Sequence, residues 1–243
     1  MKNEPWLCRG MVAVVTGASS GIGMSIANRL ALEGIVVACL SRSAKQSAIP
    51  SDLSLDGRLV PFACDVRNAK SVKTTIAKVV DSFGKINILI NAAGVSMPES
   101  LDLLQVKPKL WKQIIDTNLT GVYNMMHFTL PYLLLSKGYI INILSTAAFR
   151  GNAGNAPYTA SKYGARALSE TAALEGALEG VRVASISPGP VNTNIWSHKI
   201  VPPTDEKMMR MLNPEDIADI AIFLLKTSAN VVIGNITVTP LSY

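Results

Sequence analysis

Tyr158 and Lys162 stand four residues apart in Tyr158-Thr159-Ala160-Ser161-Lys162. On a helix this spacing puts a phenol and an ammonium on one face. A nearby cation favours the phenolate, so the pair predicts a tyrosine of lowered pKa that exchanges a proton near neutral pH. Most Tyr and Lys pairs at this spacing are solvated surface neighbours, so the pair alone does not define a site. Two features add weight to it. Ser145 lies thirteen residues before the tyrosine, and a glycine-rich turn lies near the N-terminus.

That turn, Thr16-Gly17-Ala18-Ser19-Ser20-Gly21-Ile22-Gly23, follows a short apolar run and opens a helical pattern. Gly17 permits a tight turn, Gly21 lets backbone approach an anion, and Gly23 allows helix to pack closely on strand. Free amides and the dipole at a helix start favour phosphate, with Ser19, Ser20 and Ile22 contributing backbone. The spacing is G-x-x-x-G-x-G and lacks the lysine of a P-loop, which points to a dinucleotide. The plain alternative is an ordinary turn of small residues. An NAD site would place an acidic residue about twenty positions further on. No Asp or Glu occurs from Gly34 to Ser51; Ser41 and Arg42 close the second strand instead, with Lys45 nearby. A guanidinium there can pair with a ribose 2′-phosphate, which favours NADP(H) over NAD. Arg42 could equally be a solvated loop residue. Asp65 can accept a hydrogen bond from an adenine amine or can cap the helix that follows. Asn91-Ala92-Ala93-Gly94 brings small residues to where a cofactor ribose would lie, or is a strand-end turn.

These residues need a frame. Short apolar runs predict strands at 11–16, 35–40, 59–63, 86–90, 139–144, 181–186 and 231–238. Between them, helical periodicity predicts helices at 22–33, 69–83 capped by Asn68, 110–135, 158–178 with Pro157 at its start, and a last one to Leu225 capped at Asn213. The stretch 41–56 is polar and loop-like. Alternation of this kind predicts right-handed βαβ units and a doubly wound, mainly parallel, seven-stranded α/β sheet with helices on both faces. Residues 1–243 read as one domain. Each candidate site residue follows a strand or starts a helix, where ligands bind on such sheets.

Bulk composition narrows the classes. The 243 residues are 49% hydrophobic and 16% charged, enough for one deep core. A net charge of +6 is dispersed and not interleaved with aromatics, so no nucleic-acid partner is expected. Residues 1–10 hold no secretory h-region and no run is long enough to span a membrane. Cys8, Cys39 and Cys64 have no paired spacing, and two histidines stand far apart. Reduced thiols, a cytoplasmic location and no metal site are therefore expected.

Taken together, these residues resemble the short-chain dehydrogenase/reductase family over nearly the whole chain, in its NADP-preferring branch. Thr16 to Gly23 is similar to its T-G-x-x-x-G-x-G, and Asp65 with Val66 to its adenine-contacting pair. Asn91 to Gly94 is similar to N-N-A-G, with Ala92 in place of the second Asn. Asn118, Ser145, Tyr158 and Lys162 match its catalytic set. Pro188-Gly189-Pro190-Val191-Asn192-Thr193 is similar to the P-G-x-V-x-T segment that touches the nicotinamide. There are two departures. Leu144 precedes Ser145 where Ser or Gly is common, which predicts a slightly narrower pocket. The chain ends Val238-Thr239-Pro240-Leu241-Ser242-Tyr243 without D-G-G, which argues against a specific assignment to the ketoreductases of fatty-acid synthesis.

The resemblance implies a Rossmann-type fold and hydride transfer between NADP(H) and a carbonyl or alcohol carbon, with the chain acting as a carbonyl reductase. It implies that Tyr158 gives the proton, Lys162 lowers its pKa and bonds the nicotinamide ribose, Ser145 holds the substrate oxygen, and Asn118 steadies a relay water. Ala147, Phe149 and Asn155 would line one wall of the substrate pocket. A lid at 194–212, with Trp196, Met208, Met209 and Met211, would cover it. An NAD-preferring alcohol dehydrogenase and a non-catalytic NADP(H)-sensing protein are the alternatives. A homo-oligomer, tetramer or dimer, is expected from the resemblance alone.

Overall fold

A computed structural model describes residues 6–43 and 58–242. Lys45 and most of the polar stretch 41–56 lie outside the described residues. Seven strands form one sheet: β1 (Val12–Thr16), β2 (Val36–Ser41), β3 (Arg58–Ala63), β4 (Ile88–Asn91), β5 (Tyr139–Ile143), β6 (Arg182–Pro188) and β7 (Asn235–Val238). Their order is β3-β2-β1-β4-β5-β6-β7 and every pairing is parallel. The order reverses between β1 and β4, and a crevice opens at the carboxyl ends of strands at such a switch.

The strand sequences explain the order. β1, β4, β5 and β6 are buried along their whole length, as apolar runs covered on both faces must be. Pro61 sits in β3, an edge strand, where its missing N–H faces no neighbour. β6 continues two residues past the expected end at Ile186, with Pro188 paired to Val238, so its proline ends the strand instead of breaking it early. β7 is shorter than 231–238, because only its last four residues reach the β6 edge.

Helices α1 (Gly21–Leu32) and α7 (Pro214–Lys226) cover one face, where Ile26, Leu30, Ile217 and Leu225 meet Val15, Ile90 and Ile141. α2 (Ala69–Phe83), α4 (Gly121–Ser136) and α5 (Ala156–Leu178) cover the other, with Val72, Ile76, Met125 and Leu133 against Val14, Leu89 and Ile140. Asn68 caps α2 through its side-chain oxygen, which accepts from the Ser71 N–H. The helix expected at 110–135 is present as continuous helical backbone from Pro108 to Ser136, with a π-helical turn over Asp116–Thr120 between α3 (Pro108–Ile115) and α4. A short α6 (Asp205–Met209) lies in the lid stretch, after a 3₁₀ turn at Asn194–His198. Among the described residues no helix is long and apolar enough to cross a membrane.

Candidate active site

The glycine turn is seated at the switch point by Thr16. Its hydroxyl oxygen accepts from the Ala92 and Ala93 N–H groups at 3.0 and 3.1 Å, tying the end of β1 to the turn after β4. Gly17 has φ +66, and a Cβ on it would lie 2.9 Å from the Ala93 Cα. A Cβ on Gly23 would lie 2.5 Å from the Gly17 carbonyl oxygen, so the helix packs on its own entry turn only without a side chain there. Ser20, at the N-cap of α1, makes no side-chain cap, which leaves first-turn amides available to an anion. Thr193 crosses over this turn: its Cγ2 would be 3.1 Å from a Cβ on Gly21. Thus Gly17, Ser19, Ser20, Gly21, Ile22, Gly23, Ala92, Ala93 and Thr193 come together.

The rest of 188–193 reaches the same crevice. Gly189 donates to the Val238 carbonyl at 2.7 Å, and Val191 is buried and bridged to Leu212. Asn91 is buried; its Nδ2 donates to Asn142 Oδ1 at 2.8 Å, while its own Oδ1 has no partner. An open buried acceptor beside the turn suits a donor such as a ribose hydroxyl. Gly94 leaves its side-chain space facing Asn118 Oδ1 and Lys162 Nζ, which a Cβ would meet at 3.5 and 4.0 Å.

At the far end of the crevice Ser41 closes β2 and Arg42 follows it, exposed. Asp65 does not cap α2; Asn68 does. Asp65 instead takes four hydrogen bonds from Arg67, one from its backbone and three from its guanidinium, at 2.6 to 3.1 Å. Those bonds, joined by the charges of Arg67 and Arg42, hold its carboxyl below the usual range. Val66 turns its side chain into the core against Gly121, and its carbonyl accepts from Asn124 Nδ2. Only its backbone edge is left for a ligand.

Tyr158, Lys162, Ser145 and Asn118 also converge. Tyr158 and Lys162 share a face of α5, and Lys162 Nζ stands 5.8 Å from the centre of the Tyr158 ring. Ser145, at the carboxyl end of β5, is hydrogen-bonded to Tyr158, and its oxygen also accepts from the Ala147 N–H at 3.1 Å. Lys162 is buried and donates to the Ile143 carbonyl at 2.9 Å. Asn118 is held in the π-helical turn, a feature frequent at functional sites. Its Oδ1 accepts from Val95 N–H and its Nδ2 donates to Val95 O and Ser161 Oγ, at 2.9, 2.9 and 3.1 Å.

The electrostatics differ from expectation. Burial raises the Tyr158 pKa, and the Ser145 hydrogen bond only partly offsets it. Burial also brings Lys162 down to about 8. In this state the lysine approaches the ring face and bonds a backbone carbonyl, so it does not acidify the phenol. The pocket side brings further corrections. Leu144 does not narrow a pocket: it is buried with Ala148 and Ala165 against Leu119, behind Ser145. Met209 points to solvent and Met211 is buried, so the lid methionines do not form one apolar cover. Ala147 and Asn155 are half-buried on the two flanks of the Ser145-to-Tyr158 connection, and Phe149 is stacked under Arg166 at 4.2 Å. Trp196 Nε1 donates to Val191 O at 2.7 Å and lines a cleft with Pro98 to Ser100.

Thr16 and Ser161 were not singled out from the sequence as site residues. Thr16 was visible only as the first residue of the glycine motif. Ser161, whose hydroxyl donates to the Tyr158 carbonyl at 2.7 Å while accepting from Asn118, lies between Tyr158 and Lys162 in the sequence.

Comparison with known proteins agrees with this arrangement. The chain is 34% identical over 231 residues to an oxidoreductase of Staphylococcus epidermidis, covering 94% of this chain and 96% of that one. It superposes with a TM-score of 0.83 on an alcohol dehydrogenase from the archaeon Thermococcus sibiricus solved with 5-hydroxy-NADP, at 27% identity and covering 95% and 97% of the two chains. It superposes equally, at 0.83, on a 3-ketoacyl-(acyl-carrier-protein) reductase from Brucella melitensis solved with NADH, at 26% identity over 94% and 96%. The pattern that defines the short chain dehydrogenases matches residues 11–201. With that match laid over a glycine turn at the sheet's switch point and a Ser, Tyr, Lys and Asn gathered beside it, the chain belongs to the short-chain dehydrogenase family.

Proposed function

We propose that this protein is an NADP(H)-dependent oxidoreductase that works as a carbonyl reductase. The observation that carries this reading is the placement of Ser145 and Lys162 about Tyr158, beside the glycine turn. A phenol so placed can deliver the proton that carbonyl reduction needs at the oxygen. A dinucleotide held here would supply the hydride. Amides of Gly17 to Gly23 would receive its diphosphate, and Arg42 the 2′-phosphate. Asp65 and the backbone edge of Val66 would face the adenine. Asn91 to Gly94 and Lys162 would hold ribose, and Pro188 to Thr193 the carboxamide. Ser145 Oγ donates to the substrate oxygen and fixes it within reach of the Tyr158 hydroxyl, which gives up its proton as negative charge grows there. The Lys162 ammonium stabilises the phenolate left behind. Asn118 keeps the 92–95 loop closed beside Lys162, and its second Oδ1 lone pair is free to hold the relay water.

The test is NADPH oxidation, followed by absorbance, with a panel of aldehydes and ketones. Wild type turns over at least one class, and Tyr158→Phe loses about 10²- to 10⁴-fold in turnover while still binding NADPH. Retention of most activity by that variant refutes the role given to Tyr158; NADPH binding without turnover of any carbonyl favours a sensing protein. An NAD-preferring alcohol dehydrogenase is the second reading; the NADH bound to the Brucella reductase supports its cofactor and the Thermococcus alcohol dehydrogenase its chemistry. We also assign the protein to the cytoplasm, on three free cysteines, and to a homo-oligomer. The exposed Leu130, Leu134 and Leu135 of α4 and Leu174 and Leu178 of α5 offer it a contact face.

A further inference from the structure

A cleft of about 380 Å³ lies between the loop after β4 and the first part of the lid. That is within the range of small-molecule sites. Its walls are Pro98, Trp196, Ile200, Val201 and Pro203. The two segments are joined by a hydrogen bond from Ile200 N–H to Pro98 O at 3.0 Å. Two hydrogen bonds tie the cleft's walls to the segments that carry the Tyr158 site. Leu101, next to Ser100, donates to the Gly154 carbonyl, four residues before Tyr158. Trp196 is pinned to Val191 of the 188–193 segment.

Two observations describe the cleft. Ile200 and Val201 are 65% and 82% exposed beside the tryptophan and form an apolar lip. Lys199 lines the same cleft, half-buried, with its Nζ 5.9 Å from the Trp196 ring centre. Among the described residues no carboxylate forms an ion pair with it. Burial holds the Lys199 ammonium below its ordinary pKa, as expected of a cation without a counter-charge. Glu99 belongs to the opposite segment and is exposed, so it discourages an anion on its own side and leaves the Lys199 side as the favourable one.

We infer that the cleft is the distal subsite of the substrate, and that the substrate is an elongated carbonyl compound whose apolar body lies along Trp196, Ile200 and Val201 and whose far end is an anionic group paired with Lys199. This rests on the carbonyl-reductase reading. The chemistry recognised is a terminal anion, from a carboxylate or from a phosphate ester.

The test is initial-rate kinetics of the NADPH-loaded protein on matched series. Oxo-carboxylates of increasing chain length are compared with their methyl esters, with phosphate-ended analogues and with neutral ketones of equal length. At one chain length the anionic member exceeds its neutral twin about tenfold in kcat/KM, through KM, and the advantage shrinks as salt is raised. The carboxylate and phosphate arms show which anion the cleft takes. Lys199→Met brings the ratio of anionic to neutral substrate to about one, and Lys199→Glu inverts it. Lys70→Met, an exposed lysine on α2, leaves the ratio at the wild-type value. Equal rates for acid and ester in wild type, or an undiminished preference in Lys199→Met, overturn the inference while the reductase reading stands. Absence of turnover on every member, neutral ketones included, overturns the reductase reading and this inference with it.

Discussion

At Lys162 chemistry and stability oppose each other. Its ordinary pKa of 10.5 falls to about 8 on burial. Between those values the unfolded chain binds a proton that the folded chain does not, so folding stability rises with pH across that window. Below about 8 both states are protonated and the buried charge destabilises the fold by its full amount, on the order of 3 kcal/mol. Lys162→Met removes that pH dependence. The stability difference, variant minus wild type, should therefore fall by roughly this amount from pH 8 to 10.5. Urea midpoints measured through that range check it, and a flat difference would contradict the burial of the ammonium. The bond to Ile143 O is lost at every pH and cancels from the slope. Arg42 makes the second argument at this scale. Arg42→Ala should weaken NADPH tenfold or more, the worth of a charge-assisted bond, and leave NADH nearly unchanged. Fluorescence titration of both nucleotides reads the ratio, and equal losses would assign Arg42 to the solvated surface.

Elements explain which residues were legible in the sequence and which were not. Buried parallel strands announce themselves as apolar runs, so β1, β4 and β5 were readable to within a few residues. The glycine turn was readable because a tight turn, an anion approach and a close helix crossing each exclude a side chain. The π-helical turn at Asp116–Thr120 was not, since one extra residue in a helix leaves the apolar pattern on either side almost unshifted. Yet that turn aims Asn118 at Val95. The surroundings of the Tyr158 hydroxyl are hidden for a related reason: a spacing of four fixes which face a side chain leaves from, not how deeply it is buried. Asn118→Ala tests the element. It leaves the Val95 N–H and carbonyl without their partner, at a cost of about 2–4 kcal/mol. Amide hydrogen exchange at Val95 should accelerate before that of β4, because the loop loosens locally. Unchanged protection there would mean the side-chain bonds are not what holds the loop.

Across the whole molecule the sheet has two unlike ends. Its carboxyl end carries open acceptors, glycines and the Tyr158 cluster, while its other end is closed by a buried cation. Arg182, the first residue of β6, is 4% exposed and packs beside the edge-on pair of Trp6 and Tyr139, at 4.7 and 4.3 Å from their ring centres. Its Nη1 donates to Thr227 Oγ1 and to the carbonyls of Ser228 and Val231, which gathers the N-terminal segment and the α7–β7 connection onto one guanidinium. Among the described residues no carboxylate pairs with it; the aromatic rings beside it supply the attraction, and a guanidinium offers a planar face and a fork of donors that an ammonium lacks. Arg182→Lys keeps the charge and loses the fork and the stacking, so it should lower stability by about 2–4 kcal/mol in urea unfolding. The seven residues from Arg182 to Pro188 span about 20 Å at strand rise, so nucleotide affinity at the other end should stay within twofold of wild type. A variant that loses NADPH binding as steeply as stability would show that the closed end also sets the geometry of the open one.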